Sequence, residues 1–474
     1  MIFVYPLHHE AYGLAQYFIT CCLLLYPFAS LGLDNVIINF FSDFKGKDNK
    51  HMLPTVLLLS VGCIILFIPL YLVFGRFIYQ LFESIGLSTE ILQEQQWSVI
   101  FLMMLIVWTN IVINYISNYQ KVAVPTVIRD LGFKVYLPLS ILVVYMDILK
   151  VEDVIYILMG YYTIALVLLF IYMKQQSILS FKVERTIIDK LTTRPVIKYS
   201  LLTAVTGLGS LLAFRIDSFM ITGLLSPESN GLYFNILVMT SVIDIPGAAI
   251  GKVAGPIISK SWTEKDTEQI QGIYTKSSIV NQVVGSLIFL GIWINIENIF
   301  AISSNPSVFI GASSIFLVLG LAKLFDGFMG VNSHIIAYSK YYRYNLYFVL
   351  ILGVLNIATN LYFIPRYGII GAAYSTLFSL VIFNFLKFIF IQLRMGLSPF
   401  TTKNLTLLIL TAGIGAVGFF APHLGNSYLD IIAKSTLVVA LYVPLVYFLH
   451  ISEDINKLVD SSVLKARSII HFKK

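Results

Sequence analysis

An all-α, polytopic membrane fold of about thirteen transmembrane helices is what this sequence predicts, and three observations carry the prediction. Hydrophobic residues make up 58% of the 474 and charged residues only 12%, whereas soluble globular chains average roughly 25% charged. Apolar runs of about 20 residues, the length a helix needs to cross roughly 30 Å of hydrocarbon, recur from end to end. Lys and Arg concentrate in alternate connections, as the cytoplasmic excess of basic residues in membrane proteins requires.

The predicted spans begin near Ala11, Leu53, Val99, Val127, Val154, Ile197, Gly231, Ile279, Val308, Asn345, Ile369, Leu405 and Ile431. Connections at 42–52, 116–126, 174–198, 252–276, 339–344 and 394–404, with the tail, hold 23 of the 32 Lys and Arg residues. The opposite set holds only Arg76, Lys150 and Arg366, together with Glu83, Glu90, Glu94, Glu152, Asp153 and Glu228. The first set therefore marks the inside. This scattering also explains the net charge of +7, and no basic domain suited to nucleic acid stands out. Six basic residues remain within apolar segments: Arg129, Lys134, Arg215, Lys323, Lys387 and Lys434. Cys21, Cys22 and Cys63 lie in apolar stretches without metal-ligand spacing and read as small core residues. The opening MIFVYPLHHE has neither a basic region nor a small-residue cleavage site, so no signal peptide is expected. The basic count puts residue 1 outside and the C-terminus inside, an arrangement that suggests a first helix missing upstream.

An internal repeat appears when PLHHEAYGLAQYF is set beside LSPESNGLYFNIL. Gly13 matches Gly231, an offset of 218, and a proline follows each, Pro27 after 14 residues and Pro246 after 15. Six spans separate the copies, so the two halves run parallel, as in transporters that rock two lobes around a central site. The expected organisation is an N-terminal lobe at 1–173, a linker at 174–198, a C-terminal lobe at 199–393, two further helices at 394–450 and a tail at 451–474. The linker carries Ile178, Leu179, Phe181, Ile187 and Leu191 among basic residues. The tail repeats the pattern beside Lys465, Arg467, Lys473 and Lys474. Both are expected to lie along the inner membrane interface.

The stretches HHEAYGLAQYF with LYPFASLGLDN, RIDSFMITGLLSPESNGLYFN with IPGAAIGKVAGPIIS, and IPRYGIIGAAYSTLFS resemble the bacterial polysaccharide transporter family. These are the flippases of O-antigen and capsule repeat units, within the multidrug, oligosaccharidyl-lipid and polysaccharide exporter superfamily. The resemblance implies two six-helix lobes plus two C-terminal helices, here a fourteen-helix pattern lacking its first. It implies that a polyprenyl-diphosphate-linked oligosaccharide crosses the cytoplasmic membrane by alternating access. Membrane lipids, a polysaccharide polymerase and chain-length machinery are the implied partners. Moving roughly two negative charges outward across a potential negative inside is favoured by about 4 to 5 kcal/mol per 100 mV. No cofactor is expected, and coupling to H+ or Na+ is left open. The sequence contains no GxxxxGK[ST] or HExxH motif.

Ionisable groups inside a span are costly and normally face a partner or a water-filled cavity. Asp244, beside Pro246, heads the candidates, either as a cavity or coupling acid or as a carboxylate paired between helices. Arg215 either binds diphosphate or snorkels to outer headgroups, with Asp217 as its partner or as a lobe-interface acid. Lys323 and Asp326, at i and i+3, either neutralise each other or face the cavity. Asp130 and Lys134 form a similar i, i+4 pair, with Arg129 on another face. Asp34, in the helix that the repeat pairs with that of Asp244, has an open role. Gly247, Gly251 and Gly255 share one helix face and suit close packing. Tyr341, Tyr342, Tyr344 and Tyr347 fit interface anchoring. His8 and His9 make no metal set. The rival readings are an ion-coupled exporter of small cations, a membrane-embedded glycan polymerase or ligase, and a structural scaffold. The longest outer connection, 75–97, is short for a catalytic loop.

Overall fold

The computed structural model describes residues 5–43, 48–303, 305–457 and 460–461. Among them the regular structure is helical, with no strand. Helix α1 (His9–Ser30) starts where the His8 side chain accepts the Ala11 N–H at 3.3 Å. It ends in two left-handed residues, Leu31 and Gly32, with φ 46° and 78°. A Cβ on Gly32 would meet the Ser200 carbonyl and the Thr203 hydroxyl, so glycine is required there. The chain resumes as α2 (Leu33–Asn39) and α3 (Asp48–Ser84). Helix α3 turns Leu66 and Val73 outward, 68% and 69% exposed, which is how a lipid-facing helix presents itself.

Helix α4 (Gln96–Ser117) is followed by the segment expected as a span from Val127. That segment changes its winding: Ala123–Thr126 is α, Val127–Leu131 is π and α5 (Gly132–Tyr145) continues. The backbone stays in the helical region through the π-turn, so 123–145 run on as one bulged helix, long enough to cross the hydrocarbon core. Among the described residues eleven helices are long and apolar enough to cross a membrane, or twelve if one bent pair counts as a span. That count is close to the roughly thirteen spans expected. The π-turn also regroups the charges: Arg129 holds Asp130 at 2.7 Å, in place of the predicted Asp130–Lys134 pair.

Besides two short helices, Glu90–Glu94 and Arg185–Leu191 of the linker, the chain continues as α6 (Val154–Gln175), α7 (Arg194–Phe214), α8 (Ile216–Leu224), α9 (Pro227–Thr240), α10 (Ile245–Glu264), α11 (Thr267–Trp293), α12 (Ile296–Ala301), α13 (Ala312–Phe328), α14 (Asn332–Tyr338), α15 (Tyr344–Tyr367), α16 (Ile369–Met395), α17 (Thr402–Phe419) and α18 (Ser427–Phe448). Caps set several starts: Asp266 accepts the Gln269 N–H at 2.9 Å, and Thr401 and Asn404 form a capping box before α17. In the tail only 451–457 and 460–461 are described, so Lys465, Arg467, Lys473 and Lys474 lie outside the described residues.

The chain divides into two compact units, one of Phe3–Phe234 with Asn356–Pro365 and the other of Asn235–Leu355 with Arg366–Lys474. The division falls at 234/235, whereas the repeat-based lobes meet in the linker at 174–198. In the first unit α1 packs on α4, α7 and α8. Cys22 donates its thiol to the Val99 carbonyl at 3.5 Å, and Tyr17 stacks on Phe219 at 5.8 Å. Asn114 and Asn118 of α4 donate to the Asp34 and Ile37 carbonyls at 3.0 and 2.8 Å, tying down α2 just beyond the break. In the second unit α11 is central, packing on α10, α13, α17 and α18. Tyr442 donates to the Val283 carbonyl at 3.0 Å.

Candidate functional site

The helix carrying Asp244 breaks where the sequence places its proline. After α9 the chain tightens into a 3-10 turn, Ser241–Asp244, and α10 restarts with Pro246 in its first turn. Proline has no N–H to give to the preceding turn, so the old helix ends and a new one begins. Asp244 occupies the N-cap but makes no side-chain cap. Its carboxylate reaches Lys323 of α13 instead, with Oδ2 and Nζ 2.8 Å apart. The pair lines a cavity of about 260 Å3 together with Asn281, Asp326 and His334. Asp244 is 39% and Lys323 15% exposed at the side chain, so the pair keeps contact with water inside an apolar bundle. Asp34, expected in the helix that the repeat pairs with that of Asp244, lies in α2, just beyond the break at Leu31–Gly32.

The predicted Lys323–Asp326 pair is not what forms, since Lys323 is taken by Asp244. Asp326 accepts instead from Asn384 of α16 at 2.7 Å, and Asn384 accepts from Asn332 of α14 at 3.0 Å. Lys387, 2% exposed, donates to Ser333 at 2.6 Å and sits 4.0 Å from the Phe383 ring centroid. This polar network fixes a 45° bend between α13 and α14. Gly330 has φ +54°, and a Cβ there would lie 2.6 Å from the Ser277 hydroxyl, so the bend requires glycine. The glycine face of α10 receives α14 as expected: a Cβ on Gly251 would lie 2.7 Å from the His334 ring and one on Gly255 3.1 Å from the Tyr338 hydroxyl.

In the first unit the remaining candidates separate. Arg215 sits at the break between α7 and α8, its guanidinium 5.6 Å from the Phe234 ring centroid. It makes no ion pair among the described residues, so Asp217 is not its partner. Asp217 is 4% exposed and accepts from Tyr233 at 2.9 Å and from Asn360 at 2.6 Å. Asp34 lines a cavity of about 340 Å3 with Tyr26, Asn110, Asn114 and Arg129. Asp34 Oδ1 and the Tyr26 hydroxyl are both buried there, close to one another.

Lys387, Asn384, Asn360 and His334 were not singled out from sequence. Lys387 did carry a signal, being a lysine in an apolar run with Asn384 three residues earlier on the same helix face. Asn360 and His334 carried none, because neither is costly enough in a span to attract notice by itself.

The chain matches the family described as polysaccharide biosynthesis protein over residues 1–262. Its fold is similar to that of the lipid II flippase MurJ in an inward closed conformation, with TM-score 0.69 and 16% identity over 95% of this chain and 97% of that one. An inward-facing multidrug resistance MATE transporter of the MOP superfamily gives TM-score 0.66 and 13% identity over 83% and 92% of the two chains. A MOP superfamily transporter from Pyrococcus furiosus gives TM-score 0.53 and 15% identity over 83% and 90%. At these identities the likeness establishes a multi-pass membrane transporter fold. None of the curated proteins matches the sequence.

Proposed function

Because this chain belongs to the polysaccharide biosynthesis protein family, we propose that it is a flippase and not an enzyme, moving polyprenyl-diphosphate-linked oligosaccharide repeat units across the bacterial cytoplasmic membrane by alternating access. The observation that carries the reading is the hydrated Asp244–Lys323 pair, 2.8 Å apart, at a helix break. A lysine in mid-membrane costs about 2.5 to 3.5 kcal/mol, and a carboxylate partner offsets that cost until a competing anion arrives. A substrate diphosphate is such an anion. It exchanges with Asp244 for Lys323, so the cation is never left bare. Arg215, without an ion pair among the described residues, is a further candidate for contact with an anionic group. Substrate thus comes from cytoplasmic glycosyl transfer and passes to a polymerase with its chain-length machinery on the outer face. Coupling to H+ or Na+ is assigned to Asp244 or Asp217, the first at the helix break and the second a buried carboxylate that accepts from Tyr233 and Asn360.

Purified protein in liposomes carrying a fluorescent polyprenyl-diphosphate oligosaccharide tests the reading. Label in the inner leaflet should become accessible to membrane-impermeant dithionite faster than in protein-free vesicles, and Lys323→Gln should slow that exchange. Equal rates with and without protein would remove the flippase reading.

One observation favours a second reading, export of small cations. The buried Asp34 carboxylate lines a cavity beside Tyr26, Asn110 and Asn114, an acid that a cationic guest would answer. Proton-driven uptake of an organic cation into inverted vesicles, lost in Asp34→Asn but unchanged in Lys323→Gln, would select that reading.

A further inference from the structure

A second polar cavity in the Asn235–Leu355 and Arg366–Lys474 unit, of about 260 Å3, sits at the ends of α11, α13, α17 and α18 that the Lys and Arg distribution assigns to the outside. Lys434 of α18 lines it and is only 5% exposed. Fully buried lysines are almost always paired, yet Lys434 has neither hydrogen bond nor ion pair among the described residues. Asp430, one turn earlier, does not supply one. Its carboxylate accepts from the Leu424 N–H at 2.7 Å and meets His423 Nδ1 at 3.0 Å. Asn298, Ser313 and Ser314 add neutral polar groups to the same wall. Glu297, exposed at the cavity's edge, can turn its charge to water.

The floor of this cavity is apolar and shared. Trp293, Leu317 and Phe419 also line an adjoining cavity of about 610 Å3 walled by α11, α13, α16 and α17. Phe289, Trp293 and Phe419 stack through it, with centroids 5.9 and 5.8 Å apart and planes within 8° and 12°. A buried lysine with no hydrogen bond or ion pair among the described residues, and with Asp430 as its nearby acid, therefore caps a flat-walled apolar slot. We propose that the two cavities together bind a phosphate-headed lipid of the outer leaflet, its phosphate at Lys434 and its chain along the Phe289–Trp293–Phe419 stack. A free anion would leave the apolar slot unused, and an uncharged lipid would leave Lys434 unanswered. Leu324 stands between this slot and the Asp244–Lys323 cavity, lining both, but Lys434 and the aromatic stack belong to the slot side, and the proposal does not depend on what the protein transports.

Trp293 reports on the site directly. Full-length protein is reconstituted in nanodiscs whose phosphatidylcholine is progressively replaced by brominated phosphatidylglycerol, with brominated phosphatidylcholine as the control. The difference in fluorescence between wild type and Trp293→Phe isolates Trp293. Its half-quenching should need a lower mole fraction of brominated phosphatidylglycerol than of brominated phosphatidylcholine. In Lys434→Gln the phosphatidylglycerol value should rise about fivefold, the ratio corresponding to about 1 kcal/mol for one cation at an anionic lipid surface, and Lys434→Arg should restore it. Polyprenyl phosphate that restores fluorescence at a lower mole fraction than unlabelled phosphatidylglycerol assigns the site to the carrier lipid; the reverse order assigns it to phospholipid. Equal quenching by the two brominated lipids in the wild type, a measurement that needs no Lys434 variant to fold, would overturn the proposal. So would restoration of fluorescence by inorganic phosphate alone.

Discussion

Gly13 and Gly231, equated by the sequence repeat, are backbone neighbours in the folded chain. A Cβ on Gly231 would lie 3.2 Å from the Gly13 nitrogen and 2.9 Å from the His9 carbonyl. A Cβ on Gly13 would run into the Pro227 carbonyl oxygen. Asn230 clasps the same point, donating to the Gly13 carbonyl at 3.2 Å. Two positions related by a parallel repeat meet in this way when they lie close to the axis that relates the copies.

The obstacles at Gly13 are backbone atoms, which cannot rotate aside, so Gly13→Ala must separate α1 from α9. The expected cost is about 1 to 3 kcal/mol, the usual range for overpacking. Asn230, fully buried, should become reactive when replaced by cysteine in the Gly13→Ala background and stay unreactive in the parent. Thiol labelling in intact cells reads this. Equal labelling in both backgrounds would show that the helices absorb the methyl group without parting.

The Asp244–Lys323 pair should behave as a coupled unit. Because both groups keep contact with water, their coupling energy from Asp244→Asn, Lys323→Gln and the double variant should be about 0.5 to 1 kcal/mol, measured by thermal unfolding in detergent. Function should separate the partners. Asp244→Asn frees Lys323 and should tighten binding of a polyprenyl diphosphate, whereas Lys323→Gln should weaken it. Identical effects of the two substitutions would make the pair a structural tie only.

How much of this was legible follows from range in sequence. The break at Asp244 was readable because its cause, Pro246, is two residues away, and the α10 glycine face was readable because its period is local. The partner of Lys323 was not, because Asp244 lies 79 residues earlier and competes with Asp326, which sits within one turn. Asp326 is drawn off by Asn384 from a third helix, a preference that no spacing rule contains. Likewise the Arg215–Asp217 pairing looked natural in RIDS, but the α7–α8 break turns Arg215 toward Phe234 and leaves Asp217 to Tyr233 and Asn360.

Topology is testable at three exposed positions. The 23 to 3 division of connection Lys and Arg predicts that cysteines replacing Lys182 and Lys265 resist impermeant thiol reagents in intact cells, while one replacing Glu90 reacts. All three side chains are exposed, so burial cannot explain silence. The opposite pattern would reverse the orientation and the direction of transport.

Arg215 gives the sharpest test of anion recognition because it makes no ion pair among the described residues. Its visible contact is the Phe234 ring at 5.6 Å, an attraction of about 0.5 to 1 kcal/mol at an incompletely buried site. That attraction orients the guanidinium without cancelling its charge. Arg215→Gln should therefore lower flipping of a diphosphate-linked substrate about tenfold, while the melting temperature changes little. Arg215→Lys separates two modes of action. If a point charge suffices, lysine should recover most of the rate; if the planar fork of donors matters, it should resemble glutamine. Phe234→Leu removes the ring and keeps the charge, so it should cost less than Arg215→Gln when charge dominates. A double Arg215→Gln, Lys323→Gln variant that flips diphosphate-linked substrate at the wild-type rate would place both cations outside the transport path, leaving Arg215 as an anchor to outer headgroups.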